Sequence, residues 1–100
     1  MRIRWSEPAV ADLDNIKNYI AQDSDLYASR IIEGIILSAE QLLKFPEMGR
    51  KVPEADSDAI REVLFRNYRI IYRTTDLTIL SVIHGARDIS GFEKKPWEIT

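Results

Sequence analysis

The chain has 100 residues, 45% of them hydrophobic and 30% charged, with a formal net charge of −2, which fits one domain with one core and little room for a deep substrate chamber. It has no cysteine, and His84 is its single histidine, so disulfides, thiol catalysis and thiolate metal sites are excluded and neither a metal nor a cofactor is expected. A pI near 5.4 weakens any general nucleic-acid-binding role, and without a signal-peptide core or a segment as long as a membrane span, a cytoplasmic protein is expected.

Taken in order, Arg2 to Trp5 alternates, with Ile3 and Trp5 on one face and Arg2 and Arg4 on the other, which predicts a short strand. Ser6 can cap a helix, with Glu7 and Pro8 in its first turn. Ala9, Leu13, Ile16 and Ile20 then repeat at helical spacing to near Gln22. The stretch QDSD breaks this pattern and offers new caps at Asp23 to Asp25. A second, longer helix follows on Ala28, Ile32, Ile35, Ala39 and Leu42, widened by Ile31, Ile36 and Leu43 and closed by Pro46. The short connection predicts an antiparallel helical hairpin. Gly34 inside the second helix costs about 1 kcal/mol relative to alanine, which points to a close approach by a neighbouring element. Residues 46–58 read as a loop long enough to carry function. Three strands are expected after it, at Ala59–Phe65, Tyr68–Arg73 and Leu77–His84, with turns at Arg66-Asn67 and Thr74 to Asp76. The last, LTILSVIH, is apolar on both faces and suits a central strand. The order β-α-α-β-β-β gives an α+β fold: an N-terminal strand, a helical hairpin, then a three-stranded antiparallel meander, with the helices on one face of the sheet. The domain is expected over residues 1–90. Residues 91–100, with Trp97, form a tail that can dock, form a short helix or stay loose.

Charge is uneven along the chain. Residues 9–47 sum to −4, whereas residues 60–73 sum to +3, a pattern that fits a local anionic partner. On the predicted strand Tyr68–Arg73, Arg69, Ile71 and Arg73 share one face and Tyr68, Ile70 and Tyr72 the other. If the helices cover the tyrosine face, Arg69 and Arg73 emerge on an open face. With Arg61 and Arg87 nearby, these guanidinium groups form a receptor for phosphate or carboxylate. The alternative is internal pairing with Glu54, Glu62, Asp76 and Asp88. A metal-free ribonuclease constellation can also be assembled from Glu54 as base, His84 as acid and Arg69 or Arg87 as cations, although no spacing fixes its geometry. His84 equally reads as a residue closing a strand. No glycine-rich phosphate loop or nucleophile elbow is present, and Asp12 and Asp14 diverge on their helix.

Several pieces in order resemble the ParE/RelE superfamily of toxins from bacterial toxin–antitoxin modules. They are Trp5-Ser6, Ala11-Asp12-Leu13, Ile16 with Tyr19-Ile20, Phe45-Pro46, Gly49-Arg50, Val52-Pro53-Glu54, Arg61-Glu62, Tyr68 to Arg73, and His84-Gly85-Ala86-Arg87-Asp88. The likeness covers about residues 1–90 and agrees with the element order. In that superfamily ParE-like members poison DNA gyrase, and RelE-like members cut mRNA on the ribosome. The resemblance is nearer ParE. The ending from His84 to Asp88 is similar to ParE endings, no tyrosine follows Tyr72, and the chain lacks the basic charge expected of a ribosome binder.

The resemblance therefore implies a gyrase-inhibiting toxin with no catalytic residues, involved in growth arrest and plasmid stabilisation. The alternative is a ribosome-dependent mRNA endonuclease using Glu54, Arg69, His84 and Arg87. It also implies a ParD-like antitoxin, through which alone the complex would bind DNA. The antitoxin's helix would lie on an apolar groove of Leu13, Ile16, Tyr19, Ile31 and Ile35, and Arg61, Arg69, Arg73 and Arg87 would make polar contacts to target or antitoxin.

Overall fold

In the structure, a computed structural model, residues 2–85, 87, 89 and 94–98 are described. The elements are β1 (Arg4–Trp5), α1 (Glu7–Ala21), α2 (Asp25–Glu40), a 3₁₀ turn (Gln41–Leu43), β2 (Arg50–Lys51), β3 (Ile60–Phe65), β4 (Tyr68–Arg73), β5 (Thr78–His84) and a 3₁₀ turn at Pro96–Glu98. Both helix starts follow the capping residues. The Ser6 hydroxyl accepts from the Ala9 N–H at 3.2 Å, and the Ser24 hydroxyl from the Tyr27 N–H at 3.1 Å.

The sheet has five strands in the order β1-β5-β4-β3-β2. It is mixed: β3, β4 and β5 form the expected antiparallel meander, but β1 runs parallel to β5, with Arg4 beside Thr78 and Trp5 beside Ile79. β5 is thus internal, as its two apolar faces require. The expected loop at 46–58 also contributes a strand, β2, antiparallel to β3. The cause is local. The Tyr72 hydroxyl donates to the Pro46 carbonyl at 2.8 Å and accepts from the Gly49 N–H at 3.1 Å, and Arg61 donates to the Gly49 carbonyl. Gly49 packs so tightly that a Cβ would meet the Glu62 carbonyl and the Tyr72 ring.

Two cores flank the sheet. On the helix side Ala9, Ile31, Ile35, Ala39 and Leu42 pack on Val63, Ile70, Tyr72, Ile79 and Val82. At Gly34 the Phe65 ring occupies the space a Cβ would need, which is the close approach expected of this glycine. The opposite face is not open. Val52 and Ala55 of the 46–58 segment, together with Ile89, cover Ile60, Ile71, Leu80 and Ile83, and Trp97 packs alongside. The tail therefore docks at least through Pro96, which is buried, and Trp97. Ala86, Asp88, residues 90–93 and residues 99–100 lie outside the described residues.

A register shift in the β4–β5 pairing sets Ile71 beside Ser81 but Tyr72 beside Ile79, leaving Leu80 as the extra residue. α1 holds this bulge. The Ser6 hydroxyl donates to the Leu80 carbonyl at 3.1 Å. The Asp12 carboxylate accepts from the Ser81 hydroxyl at 2.8 Å and the Val82 N–H at 2.9 Å.

Candidate functional site

The four arginines singled out in the sequence do not share one surface. Arg69 lies on the face away from the helices, but its residue is only 8% exposed. Its Nε donates to Glu62 Oε1 at 2.6 Å, and its two terminal nitrogens grip both oxygens of Glu54 at 3.1 and 2.9 Å. Glu62, with a fully buried side chain, also accepts from Arg50 Nε at 2.6 Å. The hydrogen bonds to Glu54 and Glu62 raise the Arg69 pKa against the opposing effect of burial. Two cations and two anions thus form one internally balanced network that ties the 46–58 segment and β2 across β3 to β4.

Arg73 lies on the same face as Arg69, farther along β4. It clasps Asp76 with bonds of 3.1 and 2.9 Å. The Arg73 hydrogen bonds hold the Asp76 carboxyl at about 2. Arg61, the register partner of Tyr72, is on the opposite face, where it donates to the Asp58 and Gly49 carbonyls and approaches Glu47 at 3.8 Å. Internal pairing, the alternative reading of these arginines, thus describes Arg69 and Arg73. Arg87 is exposed and borders a cavity of about 420 Å³ between α1 and β5, together with Asp12, Ile16, Tyr19, Tyr68 and His84.

The nuclease candidates are partly brought together. Glu54 and Arg69 meet, but as a bidentate ion pair in which base and cation neutralise one another. His84 stacks edge-on against Tyr68, with centroids 5.6 Å apart. It borders both the α1–β5 cavity and a second cavity of about 330 Å³ at the β3–β4 hairpin end, which Arg69 also lines. Burial of Tyr68 raises its hydroxyl pKa, so the phenol stays protonated. Among the described residues no group of histidines and carboxylates could hold a metal ion.

Of the expected apolar groove, Ile31 and Ile35 are 2% and 0% exposed. They belong to the core and support the surface from beneath. Leu13 and Ile16 are half-buried on that core, and Tyr19 projects with 74% exposure. On the outer side of the hairpin Ile32, Ile36 and Leu37 line a shallow cavity of about 280 Å³ with Lys17, Ser29 and Glu33. The sequence reading gave no site role to Arg50, Leu64 or Arg66, which meet at the hairpin-end cavity. One signal was present: Leu64 alternates with Glu62 on one strand face, an apolar side chain where a polar one is expected.

A family model described as the ParE toxin of the type II toxin–antitoxin system parDE matches residues 3–89. A protein named Toxin RelE2 from Caulobacter vibrioides is 34% identical over 89 residues, covering 86% of this chain and 97% of that protein. A solved structure described as the chromosomal ParDE TA system from P. aeruginosa superposes with a TM-score of 0.68 at 22% identity, over 84% of this chain and 95% of that one.

Proposed function

Because this chain belongs to the ParE toxin family of type II toxin–antitoxin systems, we propose that it arrests growth by inhibiting DNA gyrase and acts by binding, without covalent chemistry. The observation that carries this reading is the Arg69 network. A phosphate-binding catalytic arginine must offer its guanidinium fork to substrate. Here the fork is filled by Glu54 and Glu62. The carboxylate best placed to act as a base is the same Glu54.

Membership of a toxin–antitoxin family implies an antitoxin, and a ParD-like protein fits. Its amphipathic helix would anchor on the hairpin, where Tyr19, Leu13, Ile16 and the outer trio of Ile32, Ile36 and Leu37 remain within reach. Arg87, exposed at the edge of the α1–β5 cavity, supplies a polar contact for target or antitoxin. The acidic hairpin surface disfavours direct DNA contact, so DNA binding would come through the antitoxin.

A second reading keeps ribosome-dependent mRNA cleavage, because one relative carries the RelE name and Arg69 and His84 border one cavity. Pulse-labelling after induced expression in bacteria separates the two. With gyrase as target, thymidine incorporation falls before methionine incorporation and a DNA-damage response follows. If methionine incorporation falls first, the gyrase reading is wrong, and Glu54, Arg69, His84 and Arg87 become the residues to mutate.

A further inference from the structure

The two-residue β3–β4 hairpin turn calls for a positive φ at its first central residue, and an arginine fills that position. Arg66 sits there at φ 52°, in the left-handed region that glycine or asparagine occupies cheaply and arginine does not. Among the described residues no carboxylate pairs with Arg66. Its guanidinium instead lies over the Phe65 ring, 5.5 Å from the centroid, a contact that limits its freedom. Strain held in place at a surface turn motivates a search for what the side chain does.

The neighbourhood supplies a second and a third observation. Leu64, next to it in β3, is 56% exposed and belongs to neither core. Arg50 on β2 is oriented by its bond to buried Glu62, yet its side chain is 61% exposed. Leu64, Arg50 and Arg66 all line the cavity of about 330 Å³ at the hairpin end. Within the network beneath, Arg50 and Arg69 are balanced by Glu54 and Glu62. Among the described residues Arg66 therefore brings a positive charge with no carboxylate partner beside an exposed apolar side chain.

We propose that this cavity is the docking site for the toxin's protein target, and that it receives an acidic segment which also carries an apolar side chain. Arg50 and Arg66 take its carboxylates, and Leu64 takes its apolar residue. Arginine beside a desolvated apolar contact is the composition of an interface hot spot. A nucleic-acid ligand fits less well. A phosphate backbone needs several free cations along a track, and this chain sums to −2 with an acidic hairpin. The inference rests on the proposal that the toxin acts by binding a target protein.

Arg66→Gly and Arg66→Asn test it, since both residues accept a positive φ and the fold should not suffer. Both variants should unfold within a few degrees of wild type and bind the cognate antitoxin with unchanged affinity. Growth arrest on expression, and inhibition of purified gyrase, should weaken about tenfold or more, the scale for losing one charged hot-spot contact. Leu64→Ser should do the same, and Arg66→Glu, which leaves the Arg50–Glu62 bond intact, should abolish both effects. If folded Arg66→Gly and Leu64→Ser arrest growth like wild type, the docking site is wrong. If wild type arrests growth without inhibiting gyrase while the variants do not arrest growth, the site stands and the gyrase reading falls. If wild type binds single-stranded RNA and Arg66→Gly does not, the cavity is a nucleic-acid site and the acidic-segment proposal is overturned.

Discussion

Glu62 is the residue on which the local chemistry turns. Its carboxylate is fully buried and is held by Arg50 and Arg69. Removing a partner from a buried ion pair leaves a charge that the interior cannot solvate. Arg69→Ala should therefore cost about 3 kcal/mol, or roughly 15 °C in Tm for a domain of this size. Thermal unfolding checks this, and a change of under a degree would mean the network carries no stability. A sequence reading admits both fates for Arg69, exposed receptor or internal pair, because Glu54 lies in a loop whose path no periodicity fixes. The Arg73–Asp76 pair is different, since only Thr74 and Thr75 lie between the partners and local spacing makes it legible. Asp76, held at about 2, lies below the roughly 3.9 of an unfolded aspartate. A depressed pKa gives stability that is fully present above the unfolded value and lost as pH falls through the folded one. Asp76→Asn should thus lower Tm modestly at about pH 6, and the difference should shrink as pH falls and be gone only below about pH 2. A gap that persists at the acid end would rule out this linkage.

Among the elements, the helices and the three long strands follow from patterns visible in the chain. Ser6 and Ser24 cap, apolar residues recur at three and four, and the meander strands lie within a residue of the expected bounds. The parallel pairing of β1 with β5 and the existence of β2 do not follow from such patterns. β1 is joined to the sheet by Arg4 N–H to the Leu77 carbonyl and Ser6 N–H to the Ile79 carbonyl, both at 3.0 Å across most of the chain length. β2 exists because Tyr72, Arg61 and Glu62 reach out from other strands to hold it. Two-residue strands carry no alternation to read. Gly34 is a case where the sequence does announce a tertiary contact. Gly34→Ala gains helix propensity of up to about 1 kcal/mol but drives a methyl into the Phe65 ring. The variant should be destabilised by about 1–3 kcal/mol, and Phe65→Leu in the same chain should recover much of the loss. Urea unfolding of the single and double variants measures both terms. A more stable Gly34→Ala would show that the ring moves away at no cost.

At the scale of the whole molecule, a mixed sheet separates an acidic helical hairpin from a face closed by the 46–58 segment and the tail. The family was legible because its ordered pieces span most of the chain, and the model match over residues 3–89 agrees with them. The candidate site was legible only in part. Strand alternation placed Arg69 and Arg73 on one face, but it could not show that a loop covers that face or that Arg61 points the other way. What remains at the surface is an apolar and acidic helical hairpin, which we propose for the antitoxin, and a β-hairpin end with exposed Arg50 and Arg66, which we propose for the target. The most direct test adds the purified toxin, alone and with its antitoxin, to purified gyrase in a DNA supercoiling reaction, with an in vitro translation reaction in parallel. Our account predicts that supercoiling stops, that antitoxin restores it, and that translation proceeds with intact mRNA. Cleaved mRNA beside undiminished supercoiling would contradict it.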